Sequence, residues 1–297
     1  SSTSRGLGDV YKRQILYYLG GMTSFDAVSH SLSTVSIGGF STHDASIGYF
    51  DSNFIEAVCI IFMLLSALSF SLHYYAIYTK RPLKYFYDPE LRFFISIVFV
   101  IFIISLLINL TSSQSNAPIS DLLFQSVSIV TTTGFSVADS SEWAPSIGFL
   151  FLIGAFIGAC SGSVGGGVKS YIVLIIINYA YINLMKMVHP NAVVSLKMGV
   201  KNIDNDVATS VWGFFSIYVI SFMILLLGLV MTGLDFESSF SAIGACLNNL
   251  GPGLGEVSQT YGSVTPAGKS ILALAMILGR LEIFTLLVLL TPMFWRK

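Results

Sequence analysis

The sequence predicts an all-α integral membrane protein built from repeated units, each with a helix, a short half-helix, a glycine-containing loop and a second helix. Of its 297 residues, 54% are hydrophobic and only 10% are charged, whereas a soluble domain usually carries about a quarter charged residues. Long and short apolar segments alternate along the chain. A polar run that ends in glycine occurs three times between them. Such runs at membrane depth favour a polar path lined by backbone carbonyls.

Composition also excludes several classes of protein. The net charge is −1, so no bulk basic character favours nucleic acid. The three cysteines lie far apart in apolar stretches, which is typical of small buried residues rather than of a disulfide framework or a zinc site. They are Cys59, Cys160 and Cys246. The histidines show no paired ligand spacing, so we expect no transition-metal site.

The first fourteen residues differ from the rest of the chain. Residues 1–14 are polar, include Arg5, Lys12 and Arg13, and lack the apolar core of a signal peptide. We interpret them as a foreign or misread leader and expect them to be disordered.

The apolar segments that follow fall into two length classes. A helix needs about 20 residues to cross roughly 30 Å of hydrocarbon. Four segments are that long, and they are 54–78, 91–110, 210–231 and 270–295. A fifth, 146–184, is nearly twice as long and is interrupted by glycines. Three others have about a dozen residues, the length of a re-entrant half-helix. They are 24–35, 120–131 and 235–248.

The three short segments belong to one repeat around a central pore. Each has an acidic residue near its start and ends in a polar run with a glycine. We predict that the carbonyls of these runs bind a cation, because glycine lets carbonyls turn inward without a side chain in the way. The alternative is an ordinary helix-breaking turn, which three copies in register disfavour. The predicted ion-binding residues are Ser36, Ile37, Gly38 and Gly39, then Thr131, Thr132, Thr133 and Gly134, then Asn248, Asn249, Leu250 and Gly251.

Charge placement predicts the orientation of the chain. Basic clusters follow the long segments, and the positive-inside rule makes them cytoplasmic. They are Lys80, Arg81 and Lys84, then Lys186, Lys197 and Lys201, then Arg296 and Lys297. The three glycine loops then face outward. Carboxylates near them either concentrate cations at the mouth or form an ordinary solvated rim. They are Asp44, Asp51, Asp139, Glu142 and Glu256.

The glycine-rich break at 158–170 admits two interpretations. Gly162, Gly167 and Lys169 nearly match a phosphate-binding loop, but the lysine comes one place late and the segment follows a membrane stretch. Instead, its flexibility favours a movable intramembrane segment, since irregular backbone is tolerated there only beside protein or water. Arg280 lies in the last apolar segment, where a charge is costly and usually functional. An ion pair with Glu282 is the alternative, although residues two apart on a helix point in different directions.

Several motifs of the chain match those of one known family in the same order. Residues 31–49 include Gly38-Gly39-Phe40-Ser41-Thr42-His43-Asp44, and two runs follow further along, His189-Pro190-Asn191-Ala192-Val193 and Gly279-Arg280-Leu281-Glu282-Ile283-Phe284-Thr285-Leu286. Together with the glycine loops, these motifs resemble the TrkH, KtrB and HKT superfamily of potassium transporters, and most closely the TrkH branch. Residues 31–49 resemble the second filter segment of that superfamily, residues 125–143 the third and residues 247–257 the fourth. The resemblance extends from about residue 15 to residue 297.

The resemblance implies four repeats with pseudo-fourfold symmetry, whereas this sequence shows three filter loops. We therefore expect an N-terminally truncated chain. Residues 15–80 correspond to the second repeat, with most of its outer helix missing. Residues 81–186 correspond to the third repeat and include the 158–170 loop. Residues 187–297 correspond to the fourth.

By resemblance, the function is that of the pore-forming subunit of a potassium uptake system, not of an enzyme. Potassium is the substrate, bound at the filter residues, and no cofactor is expected. The 158–170 loop gates the path, and Val164 stands where the family commonly has Thr. The implied gating residues are Gly162, Gly165, Gly166, Gly167, Lys169 and Arg280. Lys169 either adds to the barrier or extends toward the cytoplasm.

The resemblance also implies partners and a location. We expect a multi-pass protein of the cell inner (plasma) membrane, in contact with lipid, that forms a homodimer and binds a TrkA-like cytosolic nucleotide-binding regulatory subunit, with no nucleic acid partner. A sodium- or proton-coupled carrier (symporter) is the alternative function. Each loop has only one well-matched glycine, so strict selectivity for potassium over sodium stays open, as do a coupling ion and the nucleotide sensed by the partner.

Overall fold

The computed structural model describes residues 13–80, 84–112, 116–138, 143–190, 195–199, 201–258, 260–281, 283, 288 and 292–295. Helices dominate this part of the chain, with two 3-10 turns at Ser46–Phe50 and Gly255–Val257 and one short antiparallel pair, β1 (Lys197–Met198) and β2 (Lys201–Asn202). The α-helices are α1 (13–19), α2 (Ser24–Val35), α3 (Asn53–Ala67), α4 (Phe70–Tyr78), α5 (Lys84–Tyr87), α6 (Pro89–Thr111), α7 (Ile119–Val130), α8 (Pro145–Ile157), α9 (Ser170–Val188), α10 (Asn205–Val230), α11 (Phe236–Leu247), α12 (Pro266–Arg280) and α13 (Pro292–Trp295).

Three of the described helices are long and apolar enough to cross a membrane, namely α6, α9 and α10. Their outer faces carry large apolar side chains, such as Phe99 on α6 and Ile224 and Leu227 on α10, which are 61%, 65% and 64% exposed. Exposed apolar surface of this kind is suited to lipid rather than to water. The prediction of an all-α membrane protein is therefore confirmed.

The segment 54–78 is not the continuous span that its apolar run predicts. It forms two helices, α3 and α4, bent by 93° at a short break. The break is supported by the 158–170 loop, because the amide of Cys160 donates to the carbonyl of Ala67 at 3.0 Å and the amide of Phe70 donates to the carbonyl of Gly162 at 3.1 Å. Backbone groups that a straight helix would pair internally are paired across the fold instead.

The predicted half-helices are confirmed to within one residue at each end as α2, α7 and α11, each with 12 residues. The side chains of Thr23 and Asp235 cap α2 and α11 by accepting hydrogen bonds from their first-turn amides. Pro118 precedes α7, whose first turn contains Asp121. Acidic groups at these N-termini complement the helix dipole.

The half-helices lie at the centre of the packing. α7 contacts α6 and α8, α11 contacts α10 and α12, and α2 contacts α3. All residues in the second halves of α7 and α11 are buried, including Ser126 and Ser128 of α7. In α7 and α11 a half-helix thus packs between two neighbouring helices.

Two residues of the predicted leader are held by tertiary packing. Residues 13 and 14 are helical and belong to α1, and Arg13 is buried, with its guanidinium 4.4 Å from the ring centre of Phe62. The same helix buries Tyr17, whose hydroxyl hydrogen-bonds the hydroxyl of Thr34 at 2.9 Å. The expectation of disorder is thus wrong for residues 13 and 14, because tertiary packing holds them. Residues 1–12 lie outside the described residues.

Candidate functional site

The three glycine loops share one backbone conformation. In each loop, the second and fourth residues have positive φ angles, which favour glycine and are uncommon for other residues. These angles are 50° and 67° for Ile37 and Gly39, 60° and 85° for Thr132 and Gly134, and 56° and 105° for Asn249 and Gly251. The alignment of the loops predicted from the sequence is therefore also an alignment of their geometry.

The shared conformation turns the loop amides back toward the half-helices. The third residue of each loop, Gly38, Thr133 or Leu250, donates its amide hydrogen to a half-helix carbonyl at 2.8 Å. This bond is typical of a helix C-terminus that ends in a left-handed residue. The carbonyls of Gly39, Thr133 and Leu250 accept no hydrogen bond in the part of the chain that the structure describes. They remain available to another partner.

The loops also lie against one another in a fixed order. A Cβ atom on Gly39 would come within 3.0 Å of the carbonyl oxygen of Thr133, and one on Gly134 would come equally close to that of Leu250. Real Cβ atoms essentially never approach so closely, so each contact requires glycine. By contrast, a Cβ on Gly251 would meet nothing within 4 Å. The described loops therefore form an arc that is open beyond Gly251.

Buried hydroxyl groups support the second and third loops. Thr131 and Thr133 hydrogen-bond through their hydroxyls at 2.8 Å, and the hydroxyl of Ser128 donates to the carbonyl of Phe135 at 2.6 Å. In the third loop, the hydroxyl of Tyr218 donates to the side-chain oxygen of Asn248 at 2.8 Å. Satisfied buried networks of this kind hold a single backbone geometry.

Two cavities adjoin the loops. One, of about 640 Å³, is lined by residues from all three loops together with α12 side chains such as Met276. The other, of about 580 Å³, is lined by the glycine-rich loop, by Asp206 and Tyr218 of α10, and by Asn249. Arg280 and Asn249 line both cavities. The third loop thus lies where the two spaces meet.

The loop of residues 158–170, called the gating loop after its predicted role, packs directly against the second and third predicted filter loops. The amide of Gly166 donates to the hydroxyl of Thr132 at 2.6 Å. A Cβ on Gly165 would lie 3.1 Å from the carbonyl oxygen of Thr131, and one on Gly166 would come within 3.0 Å of that of Asn248. Side chains at these two positions would separate the gating loop from the filter loops.

Two basic residues bind carbonyls of the gating loop. Arg280 donates from its guanidinium to the carbonyl of Val164 at 2.9 Å, and Lys169 donates from its ammonium to the carbonyl of Gly165. The Arg280 contact uses backbone, so the departure of Val164 from the family's usual threonine leaves it unaffected. Glu282, the alternative partner of Arg280, lies outside the described residues.

Two groups of contacts at the site were missed by the sequence analysis. Asp26 accepts hydrogen bonds from the hydroxyls of Thr23 and Thr42, both at 2.6 Å, and lies 3.5 Å from His43. The hydrogen bonds from Thr23 and Thr42 lower the pKa of Asp26. This network ties the segment after the first filter loop to the start of α2.

The second missed contact is made by Glu90, which accepts a hydrogen bond from the amide of Ser161. In the sequence, Glu90 resembles an ordinary acidic residue in the first turn of a helix.

Three of the five carboxylates predicted at the mouth lie among the described residues. Asp44, Asp51 and Glu256 are exposed, whereas Asp139 and Glu142 lie outside the described residues. Within the described ranges, no group of three or more His, Cys, Asp or Glu side chains is arranged to hold a metal ion.

The fold and the site together define a class, a polytopic helical membrane protein whose half-helices present free carbonyls beside a glycine-rich loop. The family model described as TrkH, cation transport protein, matches residues 10–297. The chain belongs to the TrkH family, which is a family of transporters and not of enzymes. The resemblance stated from the sequence is therefore confirmed.

Individual relatives agree with this assignment. The chain is 49% identical over 285 residues to the Trk system potassium uptake protein TrkH of Halomonas elongata and 45% identical over 284 residues to that of Escherichia coli K12. These alignments cover 95% and 94% of the chain and 59% of each relative. The crystal structure of the potassium transporter TrkH from Vibrio parahaemolyticus matches with a TM-score of 0.92 and 45% identity, over 98% of this chain and 63% of that one. The chain thus spans about three fifths of the length of these relatives.

Proposed function

We propose that this chain supplies three sides of the potassium pathway of an uptake system in the plasma membrane. The observation that carries the proposal is the arc of three loops with identical φ patterns, in which each of two glycines abuts a carbonyl of the next loop. Carbonyl oxygens arranged around an axis replace the hydration shell of a cation. The two relatives reported above are named as potassium uptake proteins.

Potassium binding follows from the local electrostatics of this arc. Each half-helix ends at its filter loop, so the negative end of its dipole faces the carbonyls and adds to cation stabilisation. The proposed binding residues are the twelve predicted from the sequence, 36–39, 131–134 and 248–251. Their main-chain oxygens supply the ligands, while the glycines supply the close approach.

The gating loop is the proposed barrier to passage. It occupies the space beside the second and third filter loops, and Arg280 places a positive charge on the same path. A cation leaving the filter meets both this charge and the loop backbone. Conduction therefore requires that Gly162 to Lys169 move away from the filter, which the glycines permit.

Passage without a coupling ion is the proposed mode of transport, with symport as the alternative. Lys169 and Arg280, which donate to gating loop carbonyls, are cationic and oppose cation entry. In a symporter, Asp206 in the second cavity and Glu90 beside the loop are the nearby carboxylates that would bind a driving sodium ion or proton.

The proposed orientation follows the positive-inside rule. We place the filter loops on the outer side and the basic segments and the C-terminus on the cytoplasmic side.

The proposed assembly is a homodimer with a TrkA-like regulatory subunit. The names of the relatives place them in a Trk system. The exposed Lys197 of β1 belongs to the basic cytoplasmic segment of this orientation and presents a docking surface for an acidic partner face.

Isotope flux tests the proposal. In a chimeric transporter, residues 15–297 replace the matching segment of the Halomonas relative, and the unaltered relative serves as the control. Expressed in bacteria that lack potassium uptake, the chimera should restore growth at low potassium and take up radioactive rubidium. Absence of uptake by chimera that reaches the membrane would contradict the proposed function. Uptake that stops when the sodium or proton gradient is removed at constant membrane potential would favour the symporter.

A further inference from the structure

One carboxylate contacts the gating loop from another helix. Glu90, in the first turn of α6, accepts a hydrogen bond from the amide of Ser161, near the start of the loop. The acceptor and the donor are 71 positions apart in the sequence. This carboxylate therefore ties the start of the loop to α6.

The hydrogen bond between Glu90 and Ser161 does not cap α6. The N-cap of that helix is Asp88, whose carboxylate accepts a hydrogen bond from the amide of Leu91 at 2.9 Å. Glu90 is half-buried and directed toward the loop instead. Burying a carboxylate is costly unless it is hydrogen-bonded, so the hydrogen bond from Ser161 offsets part of the cost of burying Glu90.

The same carboxylate lies near the end of the loop. α6 packs against α9, and Glu90 interacts electrostatically with Lys169, the N-cap residue of α9. A negative charge near the N-terminus of α9 also complements the positive end of its helix dipole.

We propose that Glu90 is the positioning residue of the gating loop, holding the start of the loop to α6 and so keeping the loop against the filter loops. This inference rests on the proposed gating role of the loop. Arg280 and Lys169 bind the middle of the loop, whereas Glu90 holds its start. Loss of the carboxylate frees the start of the loop.

A native cysteine reports the position of the loop. Cys160 adjoins Ser161, is a free thiol and is only 2% exposed. The experiment compares the chimeric transporter with its Glu90→Ala and Glu90→Gln variants and with the matched control Asp88→Asn, which neutralises the neighbouring acid. Each purified protein is treated with a maleimide, and mass spectrometry follows modification of each cysteine. Buried Cys59 and Cys246 are internal references.

We expect Cys160 to react at least about tenfold faster in Glu90→Ala, because local opening exposes a buried group in proportion to the open population. Glu90→Gln keeps one acceptor and should give a smaller increase. Basal rubidium flux should rise in the same order, and Asp88→Asn should match the unsubstituted protein.

Unchanged Cys160 reactivity in both Glu90 variants would overturn the proposal, as would equal acceleration at Cys59 and Cys246, which indicates general unfolding. If Glu90→Ala is not recovered folded, Glu90→Gln alone decides. Failure of the unsubstituted chimera to transport would count against the proposed function, whereas the cysteine readout tests Glu90 directly.

Discussion

Replacement of Gly134 by serine is the sharpest test of the filter geometry. Gly134 has a φ of 85°, and its Cα faces the carbonyl of Leu250 in the next loop. A Cβ there would lie within 3.0 Å of that oxygen and 3.2 Å from both the carbonyl carbon of Leu250 and the ring of Pro252. Ordinary van der Waals contact begins at 3.4 Å, so the carbonyl must move.

The energetic consequence has two parts. A left-handed backbone costs a residue with a side chain about 1–2 kcal/mol, and the steric contact adds to this cost. The strain is relieved by displacing the carbonyl of Leu250 from the axis. If about 1–2 kcal/mol of potassium preference is lost in this way, the selectivity for potassium over sodium falls by a factor of roughly 5–30.

The assay is competition between sodium and rubidium during uptake by the chimeric transporter. Gly233→Ser is the matched control, because Gly233 also has a positive φ, 93°, but a Cβ there would meet nothing within 4 Å. Gly233→Ser should introduce the same kind of backbone strain without altering the selectivity for potassium over sodium. An unchanged ion preference in Gly134→Ser, in protein that folds and transports, would refute the assignment of these carbonyls to the filter.

Two further predictions concern the gate and the outer network. Arg280→Ala, or deletion of Gly165 to Gly167, should raise basal rubidium efflux several-fold, because a positive charge or the obstructing backbone is removed; equal or lower efflux from folded protein would contradict the gate. Hydrogen bonds lower the folded-state pKa of Asp26 below its usual 3.8, so its stabilisation is present above that value and is lost as the pH falls below it. Thermal unfolding in detergent should thus show a smaller acid-induced loss for Asp26→Asn than for the unsubstituted protein, and identical pH profiles would exclude this contribution.

Much of the fold follows from local sequence. The half-helices α2, α7 and α11 were predicted to within one residue, because their length, their acidic first turns and their terminal glycines are local properties. The pairing of filter positions was also predictable, since the same spacing recurs in each copy. The family assignment depended on the same motifs.

Other features depend on partners that are distant in the sequence. The run 54–78 is uniformly apolar, so its pattern predicts one span, yet hydrogen bonds with the gating loop stabilise a 93° bend. The burial of Arg13 likewise depends on packing against Phe62. The local sequence pattern therefore predicts neither the bend in 54–78 nor the burial of Arg13.

The sequence by itself determined that three half-helices end in glycine loops within a membrane protein, because length, hydropathy and repeat spacing are properties of the chain alone. Only the tertiary structure decided which glycine meets which carbonyl and how the gating loop is held. Glu90 shows the physical reason. Its place near Asp88 suggests a helix cap, but its hydrogen bond with the amide of Ser161 arises only when α6 and the gating loop pack together.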